Sequence, residues 1–570
     1  MRLLTAPGPT AVAIATAETA LGEAAPELVA SFREQVPYAM DIVARRLVGA
    51  AYREGLTGGP SLASWSGGHA FLPAADGGYV VTRASEHAFN RLEVTEALPV
   101  DPARLARRII GRPEPIEAEL TDATVNLALA LARRRAAPPT VGGRDLVELW
   151  SDVDPDTRCI HFEQLATEGH NLHPCGRTRL GWSIVDLLAH DLEAPATEVR
   201  FVGVRRELHV GDDLGPTFGM EIDGYAVTPV HPWQLDHIVR DRYADLVANG
   251  ALVPLDARLP AQTTGALRTL LLPDGRYVKL SLDIQVTSTR RTISVASTRN
   301  GPVLSRLLGK LLPECGERVL LLDETAGSAM VAAAGDRDLA AILRSGLSGR
   351  LGPDEIAVPG SALYAVSPLT GRTVVAELVD RYARFIKDPA TAAARWIEEY
   401  ARLLLPPVLR LATRHGIGLE VHLQNCVPTF VEGAPHRLAL RDLAGMRLHP
   451  ARLDENLRAE APLWPGSVIV TDDVDVVRSK VAYTALQAHL AELVLRLAGS
   501  HGLDEVAAWS TVRTVVDEVY AGEGPRGRAD HAFLTAPTVP HKALLRMRIA
   551  DAAGDHRDIY VPVANPLHAP

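Results

Sequence analysis

Apolar residues recur at helical spacing from about Pro26 to Glu54, in LVASFREQVPYAMDIVARRLV. That pattern predicts an amphipathic helix, broken or kinked at Pro37 because proline lacks the N–H the helix needs. A second helical stretch runs roughly from Thr121 to Arg135 and ends in RRRAAPP, charged and then Pro-rich, which predicts a connector. Gln234 to Asn249 reads as an amphipathic helix. In ALRTLLLPDGRYVKLSLDIQ the period shortens. Two β-prone runs flank Asp274-Gly275, a dipeptide favoured in tight turns, so a hairpin is predicted with Lys279 on its second strand. Helical patterns dominate after about Thr373. RWIEEYARLLLPPVLRLATRHG is one helix, or two broken at Pro406-Pro407. GLEVHLQN, CVPTFVE and HRLALRDL read as short strands, SKVAYTALQAHLAELVLRLAG as a strong helix and KALLRMRI as a last strand.

Hairpins and helices without regular βαβ alternation predict an α+β fold. The chain has 570 residues, 47% of them hydrophobic, enough for two or three packed regions. We divide it into a mostly helical region 1–140, a central α+β region 141–372 and a C-terminal helical region 373–570. A formal charge of -10 argues against general nucleic-acid binding, which needs clustered Lys and Arg. Cys159, Cys175, Cys315 and Cys426 form no CxxC pair, so neither a structural zinc site nor a disulfide framework is expected. The first apolar stretch is short, interrupted by Glu18 and without a strongly basic leader, and no uncharged apolar run is long enough to cross a bilayer. The expectation is a soluble cytoplasmic protein with no membrane partner.

No GxxxxGK[ST] loop and no GxGxxG before a helix is present, so any nucleotide must be held by side chains on strands and loops. Four polar clusters offer themselves. Residues 168–183, EGHNLHPCGRTRLGWS, place His170, His173, Arg177 and Arg179 on a Pro- and Gly-broken loop. Such a set suits triphosphate, or is a solvated basic loop, or holds His residues satisfied in a core. Residues 263–294 place Arg268 and Lys279 on paired strands, followed by Thr287, Ser288, Thr289, Arg290, Arg291 and Thr292. Hydroxyls beside guanidinium groups fit phosphates and carboxylates, and are equally common on exposed β-ribbons. In GIGLEVHLQN, period two puts Glu420, His422 and Gln424 on one face of a strand, the other face being apolar. Asp442, in LALRDLAGMRL, could join Glu420 or Asn425 at Mg²⁺, or could simply cap a turn.

Taken together, these segments resemble the siderophore synthetases that work independently of nonribosomal peptide synthetases, the IucA/IucC-type family. GHNLHPCGRTRLG is similar to that family's GHPxHPxxKxRxG loop, TPVHPWQ (residues 228–234) to its HPWQ segment, and VKLSLDIQVTSTRRTIS to its KLSLxIQxTSxxRT strand and loop. GLEVHLQN resembles LExHxQN, LRDLAGMRL resembles RDxxGxR, and HKALLRMRI resembles the closing KALxRMR. The chain departs from the pattern at Arg177 (Lys in the family loop), at Ala266 (often Ser) and at Asn171 (Pro).

The resemblance implies a thumb, fingers and palm cupped around one deep cleft, with ATP and Mg²⁺. It implies that a carboxylate, of citrate or a citryl or succinyl derivative, becomes an acyl-adenylate that an amine or alcohol attacks. Position by position, His170, Arg177, Arg268 and Lys279 would bind ATP, with Gln424 and Asn425 at its end of the site. Thr287, Arg291 and His422 would hold the substrate, and Glu420 and Asp442 the metal. Arg268, Lys279, Arg291 and His422 would carry the catalysis. Homodimers are common among such look-alikes. The competing readings are an ADP-forming carboxylate-amine ligase and a nucleotide- or carboxylate-binding protein without turnover.

Overall fold

The computed structural model describes residues 8–111, 116–137, 142–194, 196–333, 336–552 and 558–568. The N-terminal part is built on three helices, Pro9–Ala24, Val29–Arg53 and Ile116–Ala136. Pro37 sits inside Val29–Arg53 without ending it. One missing backbone hydrogen bond is outweighed there by a face that buries Phe32, Val43, Leu47, Val48 and Tyr52 completely or nearly so. A small antiparallel sheet, Ser64–Ser66, His69–Pro73, Tyr79–His87 and Arg91–Val94, packs on these helices. The division expected near residue 140 falls on residues 138–141, outside the described residues.

The centre is an eight-stranded sheet, antiparallel throughout. Its middle holds the expected hairpin: Thr269–Leu271 pairs with Tyr277–Leu280, placing Thr269 opposite Lys279. Gly275 in the turn has φ +81, a conformation glycine adopts without strain. Gln234–Asn249 is not one helix but a series of short turns of helix ending at Ala248. Gln234 explains part of this. Its side chain accepts from the N–H of Asp283 (2.8 Å) and donates to the carbonyl of Asp338 (2.8 Å), fixing the segment to the sheet.

In the C-terminal part, Pro389–His415 is a single helix with Pro406 and Pro407 inside it. Trp396 on that helix stacks between Tyr400 and Phe430, with ring centroids 5.0 and 6.0 Å apart. Phe430 belongs to a four-stranded sheet in the order Val319–Leu321, Ala434–Leu440, Cys426–Val431, Glu355–Ala357. Two expected strands differ. GLEVHLQN opens on Gly418, the end of the short strand Ile417–Gly418, and then turns through Leu423–Asn425, yet residues 419–425 keep the alternating burial of a strand. KALLRMRI is mainly the helix Leu544–Ala552 rather than a strand. The Glu54 carboxylate accepts from the N–H groups of Leu545 (3.0 Å) and Arg546 (2.7 Å) at the start of that helix, tying the end of the chain to the N-terminal helices. The four cysteines are buried free thiols. Among the described residues no helix is long and apolar enough to cross a membrane.

Candidate active site

Three tight backbone turns deliver the central side chains. Arg268 follows Leu267 (φ +63), Thr287 has φ +56, and Asp442 has φ +64. Left-handed backbone is costly for such residues and persists where surrounding contacts hold it, as at functional sites. Here those contacts are visible. Arg268 Nη1 donates to the carbonyl oxygens of Arg291 (2.7 Å) and Thr292 (3.1 Å). Arg291 Nη2 donates to the carbonyl of Val286 (3.1 Å) and to Thr287 Oγ1 (3.2 Å).

Lys279, 4% exposed, forms an ion pair with Asp442. Burial opposes the charge of Asp442, but Lys279 and Arg268 outweigh it and hold the carboxyl well below its usual range. Burial raises the pKa of Glu324, which faces the same group, with Lys279 lowering it and Asp442 raising it. Glu324 Oε1 is buried without a hydrogen-bond partner among the described residues. A side chain at Gly301 would put its Cβ 2.2 Å from Glu324 Oε2, so glycine leaves room for that carboxylate. Sequence reasoning missed Glu324, a lone acid opening a strand.

The cations are under strain that negative charge relieves. Burial, then Arg268 and Arg179, push Arg291 down to about 9. Burial lowers Arg268 as well, partly offset by Asp442. His170 is pushed down to about 3 by burial, then by His422, Arg46 and Arg291, so the ring is neutral at ordinary pH. Its Nδ1 accepts from the backbone N–H groups of Leu172 (3.1 Å) and His173 (3.2 Å). The proton therefore sits on Nε2, leaving a neutral donor suited to an anionic oxygen. Burial likewise lowers His422, while Glu420, 3.9 Å from its Nε2, pulls the other way.

Glu420 has another partner: Lys480 Nζ lies 2.8 Å from its Oε1. Lys480 was not read from the sequence, being a cation inside a long helical pattern. Gly445 makes space for Glu420, since a Cβ there would lie 1.7 Å from its Oε2. Asn425 Nδ2 donates to the carbonyl of Glu420 (3.0 Å) and so braces the 420–425 turn. Gln424 is half-buried, and its backbone oxygen accepts from Arg441 Nε (3.0 Å).

Arg177 is a correction. Its side chain is 1% exposed and lies 2.8 Å from both Asp191 and Glu193, where it closes a buried ion-pair network with Arg179. Those acids, beyond a short helix, hold Arg177 through Nη2, while its Nε and Nη1 are buried without a hydrogen-bond partner among the described residues. His173 is also engaged, with Nε2 2.9 Å from Ser288 Oγ. Of the histidines and arginines in the 168–183 loop, His170 joins the central group, while Arg179, paired with Asp191, acts on Arg291 by its charge. Glu163, a further residue missed, accepts from the N–H of Gly265 (2.7 Å) and pairs with Arg441. It thereby links the Arg268 turn to the Asp442 turn.

Among the described residues no group of three His, Cys, Asp or Glu side chains is arranged to hold a metal ion. The Glu324–Asp442 pair nevertheless fits Mg²⁺, which is commonly held by one or two carboxylates with phosphate and water oxygens completing the shell.

The chain is similar to known proteins over most of its length. Residues 158–365 match the IucA / IucC family, and residues 394–556 match the family described as ferric iron reductase FhuF-like transporter. D-ornithine–citrate ligase of Staphylococcus aureus is 26% identical over 464 residues, covering 72% of this chain and 70% of its own. The fold matches the petrobactin biosynthesis protein AsbB of Bacillus anthracis with a TM-score of 0.78, at 19% identity over 99% of this chain and 98% of that one. It matches ATP-bound aerobactin synthetase IucA of Klebsiella pneumoniae with a TM-score of 0.73, at 19% identity over 92% and 99%. With the six motif segments in order and these matches spanning both sides of the site, the chain is similar to the IucA / IucC family of siderophore synthetases, whose model it matches over residues 158–365.

Proposed function

We propose that this chain adenylates a small polycarboxylic acid of the citrate type with ATP and then joins it to an amine or alcohol, in siderophore assembly. The observation that carries the proposal is the meeting of Arg268, Lys279, Arg291, His170 and His422 around one acidic pair, Asp442 and Glu324. The name of the ornithine–citrate ligase supports a citrate-like acid and an amine, and the ATP-bound relative supports the nucleotide.

In this reading a substrate carboxylate oxygen attacks the α-phosphorus of ATP and pyrophosphate leaves. Negative charge builds on phosphate oxygens beside Arg268 and Lys279, with the neutral His170 donating from Nε2. Arg291 takes the substrate carboxylate through paired N–H groups, and Thr287 fixes the guanidinium. Glu324 and Asp442 would hold Mg²⁺, which when bound neutralises phosphate charge. An uncharged amine or a hydroxyl then attacks the acyl carbon and AMP leaves. His422 is placed to receive a proton if one must be taken. The same proposal includes the cupped thumb, fingers and palm divided near residues 140 and 372, a homodimer, and a cytoplasmic location.

The test is product analysis with citrate and other polycarboxylic acids, ATP and hydroxylamine. Hydroxamate with AMP and pyrophosphate is the expected result. ADP and phosphate would select the acyl-phosphate alternative, and nucleotide binding without hydroxamate from any acid would select the non-catalytic one.

A further inference from the structure

A second polar cavity, of about 270 Å³, lies between the helix Val29–Arg53, the strand Arg91–Val94 and the 168–172 loop. Its wall carries Arg45, Arg46, Arg53, Arg91 and Arg496 against Glu54, Glu93 and Glu168. Most of this charge is already matched. Arg46 pairs with Glu168 (2.7 Å), and Arg45 pairs with Asp41 (2.6 Å). Glu492, fully buried behind the wall, serves Arg91 (2.6 Å), Arg496 (2.7 Å) and the side-chain amide of Asn171 (2.7 Å). Glu54 is occupied by two backbone N–H groups, and burial pushes it up to about 7.

Arg53 remains. No carboxylate of the described residues lies within ion-pair distance of it, and its buried Nε has no hydrogen-bond partner among them. Arg45 Nε is likewise buried without a partner. Burial and Arg91 push Arg53 down to about 10, against the smaller upward pull of Tyr483, Glu54 and Glu492, none of which pairs with it directly. One uncommitted guanidinium fits one carboxylate better than a doubly charged phosphate. The cavity is tied to the reaction centre by the backbone of the loop that carries His170. Asn171 and Leu172 on its wall directly follow His170, and Asn171, where the family pattern has Pro, joins Arg91 and Arg496 in holding Glu492.

Granting the adenylating activity proposed above, the geometry points to this cavity as the seat of the acyl acceptor's carboxylate, with Arg53 determining specificity. The acceptor class is then an amino acid, not a plain polyamine or amino alcohol. In the transfer step the acceptor's nitrogen lone pair forms the C–N bond to the acyl carbon. The C–O bond to AMP breaks, AMP carries off the electron pair, and the proton released from nitrogen passes to solvent. The carboxylate on Arg53 is unchanged and serves to aim the amine.

The test uses full-length enzyme with ATP, Mg²⁺ and its acid. It compares acceptors differing only in a carboxylate: 2,3-diaminopropionate with ethylenediamine, ornithine with 1,4-diaminobutane, and serine with ethanolamine. The carboxylated member of at least one pair should show at least about tenfold higher kcat/KM. Arg53→Gln should erase most of that preference through KM, Arg53→Lys should restore part of it, and Ala50→Leu, which fills the cavity, should act like Arg53→Gln. Arg53→Gln should not lower Tm, because it removes an uncompensated charge, whereas a purely structural arginine would lower it. Equal use of both members of every pair, or parallel loss for both in Arg53→Gln, overturns the proposal. Hydroxamate formation by the wild type separately reports whether adenylation itself stands. If it fails, calorimetric titration of the same acceptors and of inorganic phosphate decides. Selective binding of an amino acid, lost in Arg53→Gln, supports the pocket, and equal binding of phosphate or no binding overturns it.

Discussion

Lys480 Nζ lies 2.8 Å from Glu420 Oε1, so one of the two carboxylates the sequence offers to a metal already has a cation beside it. Asp442 likewise pairs with Lys279, but Glu324, which interacts with both, has its Oε1 without a hydrogen-bond partner among the described residues. The Mg²⁺ requirement should follow that difference. In ATP–pyrophosphate exchange, Asp442→Asn and Glu324→Gln should each raise the Mg²⁺ concentration for half-maximal rate by roughly 10-fold or more. Glu420→Gln should leave that concentration within about twofold of wild type and act on KM for the acid. A Mg²⁺ shift confined to Glu420→Gln would return the metal to the 420–425 turn.

Arg291 is braced by Val286 and Thr287, a planar fork set to receive a carboxylate. A lysine there keeps charge but loses the paired hydrogen bonds. Arg291→Lys should raise KM for the carboxylic acid by about 10- to 100-fold, corresponding to about 1.4 to 2.8 kcal/mol, with KM for ATP little changed. Steady-state kinetics with each substrate varied in turn separate the two. Equal effects on both would mean that Arg291 serves the phosphates.

The parts that could be read from the sequence are those whose signal is local. The Asp274-Gly275 turn set the hairpin and the place of Lys279, and the alternation in 419–425 marked which side chains escape burial even though the backbone is not a strand. Partnerships between distant segments left no such mark. Arg177 looks like a phosphate ligand until Asp191 and Glu193 fold back onto it. Glu163, Glu324 and Lys480 are isolated charges within regular elements, given meaning only by packing. Pro37 does not break its helix, and Pro406 and Pro407 lie within one helix, the first of the two readings they allowed, because tertiary burial tolerates what local propensity disfavours.

Acid should destabilise the fold through buried histidines. His489 is fully buried, with Nδ1 donating to the Val421 carbonyl (2.8 Å) and Nε2 accepting from Tyr400 Oη (2.7 Å). Burial pushes it down to about 4. Between about pH 6.5 and 4 the unfolded chain binds a proton at this ring that the folded chain does not, so stability falls as pH drops through that window. The loss from His489 is on the order of 3 kcal/mol when complete. Glu54, pushed up to about 7, acts in the opposite direction over part of the range, so total stability alone is ambiguous. The slope of Tm against pH from 6.5 to 4.5 should therefore be compared between wild type and His489→Gln. The variant's slope should be shallower, whatever its absolute Tm, and identical slopes would refute the assignment.

Glu163 supplies the last prediction, because it touches no reacting group and yet holds two segments that do. It accepts from Gly265 N–H, two residues before Leu267 and its left-handed turn, and pairs with Arg441, the neighbour of Asp442. Glu163→Gln keeps an acceptor for Gly265 but strands the Arg441 guanidinium, 9% exposed, without its carboxylate. Loss of one partner from a buried pair costs about 3 to 5 kcal/mol, which should appear as a lower Tm. If the pair also aligns Arg268 with Asp442, kcat should fall at least tenfold while KM for ATP and acid stay within a few-fold. The double variant Glu163→Gln with Arg441→Met should regain Tm by removing the stranded charge without regaining kcat. Recovery of both together would mean that the pair stabilises the fold and does not position the site.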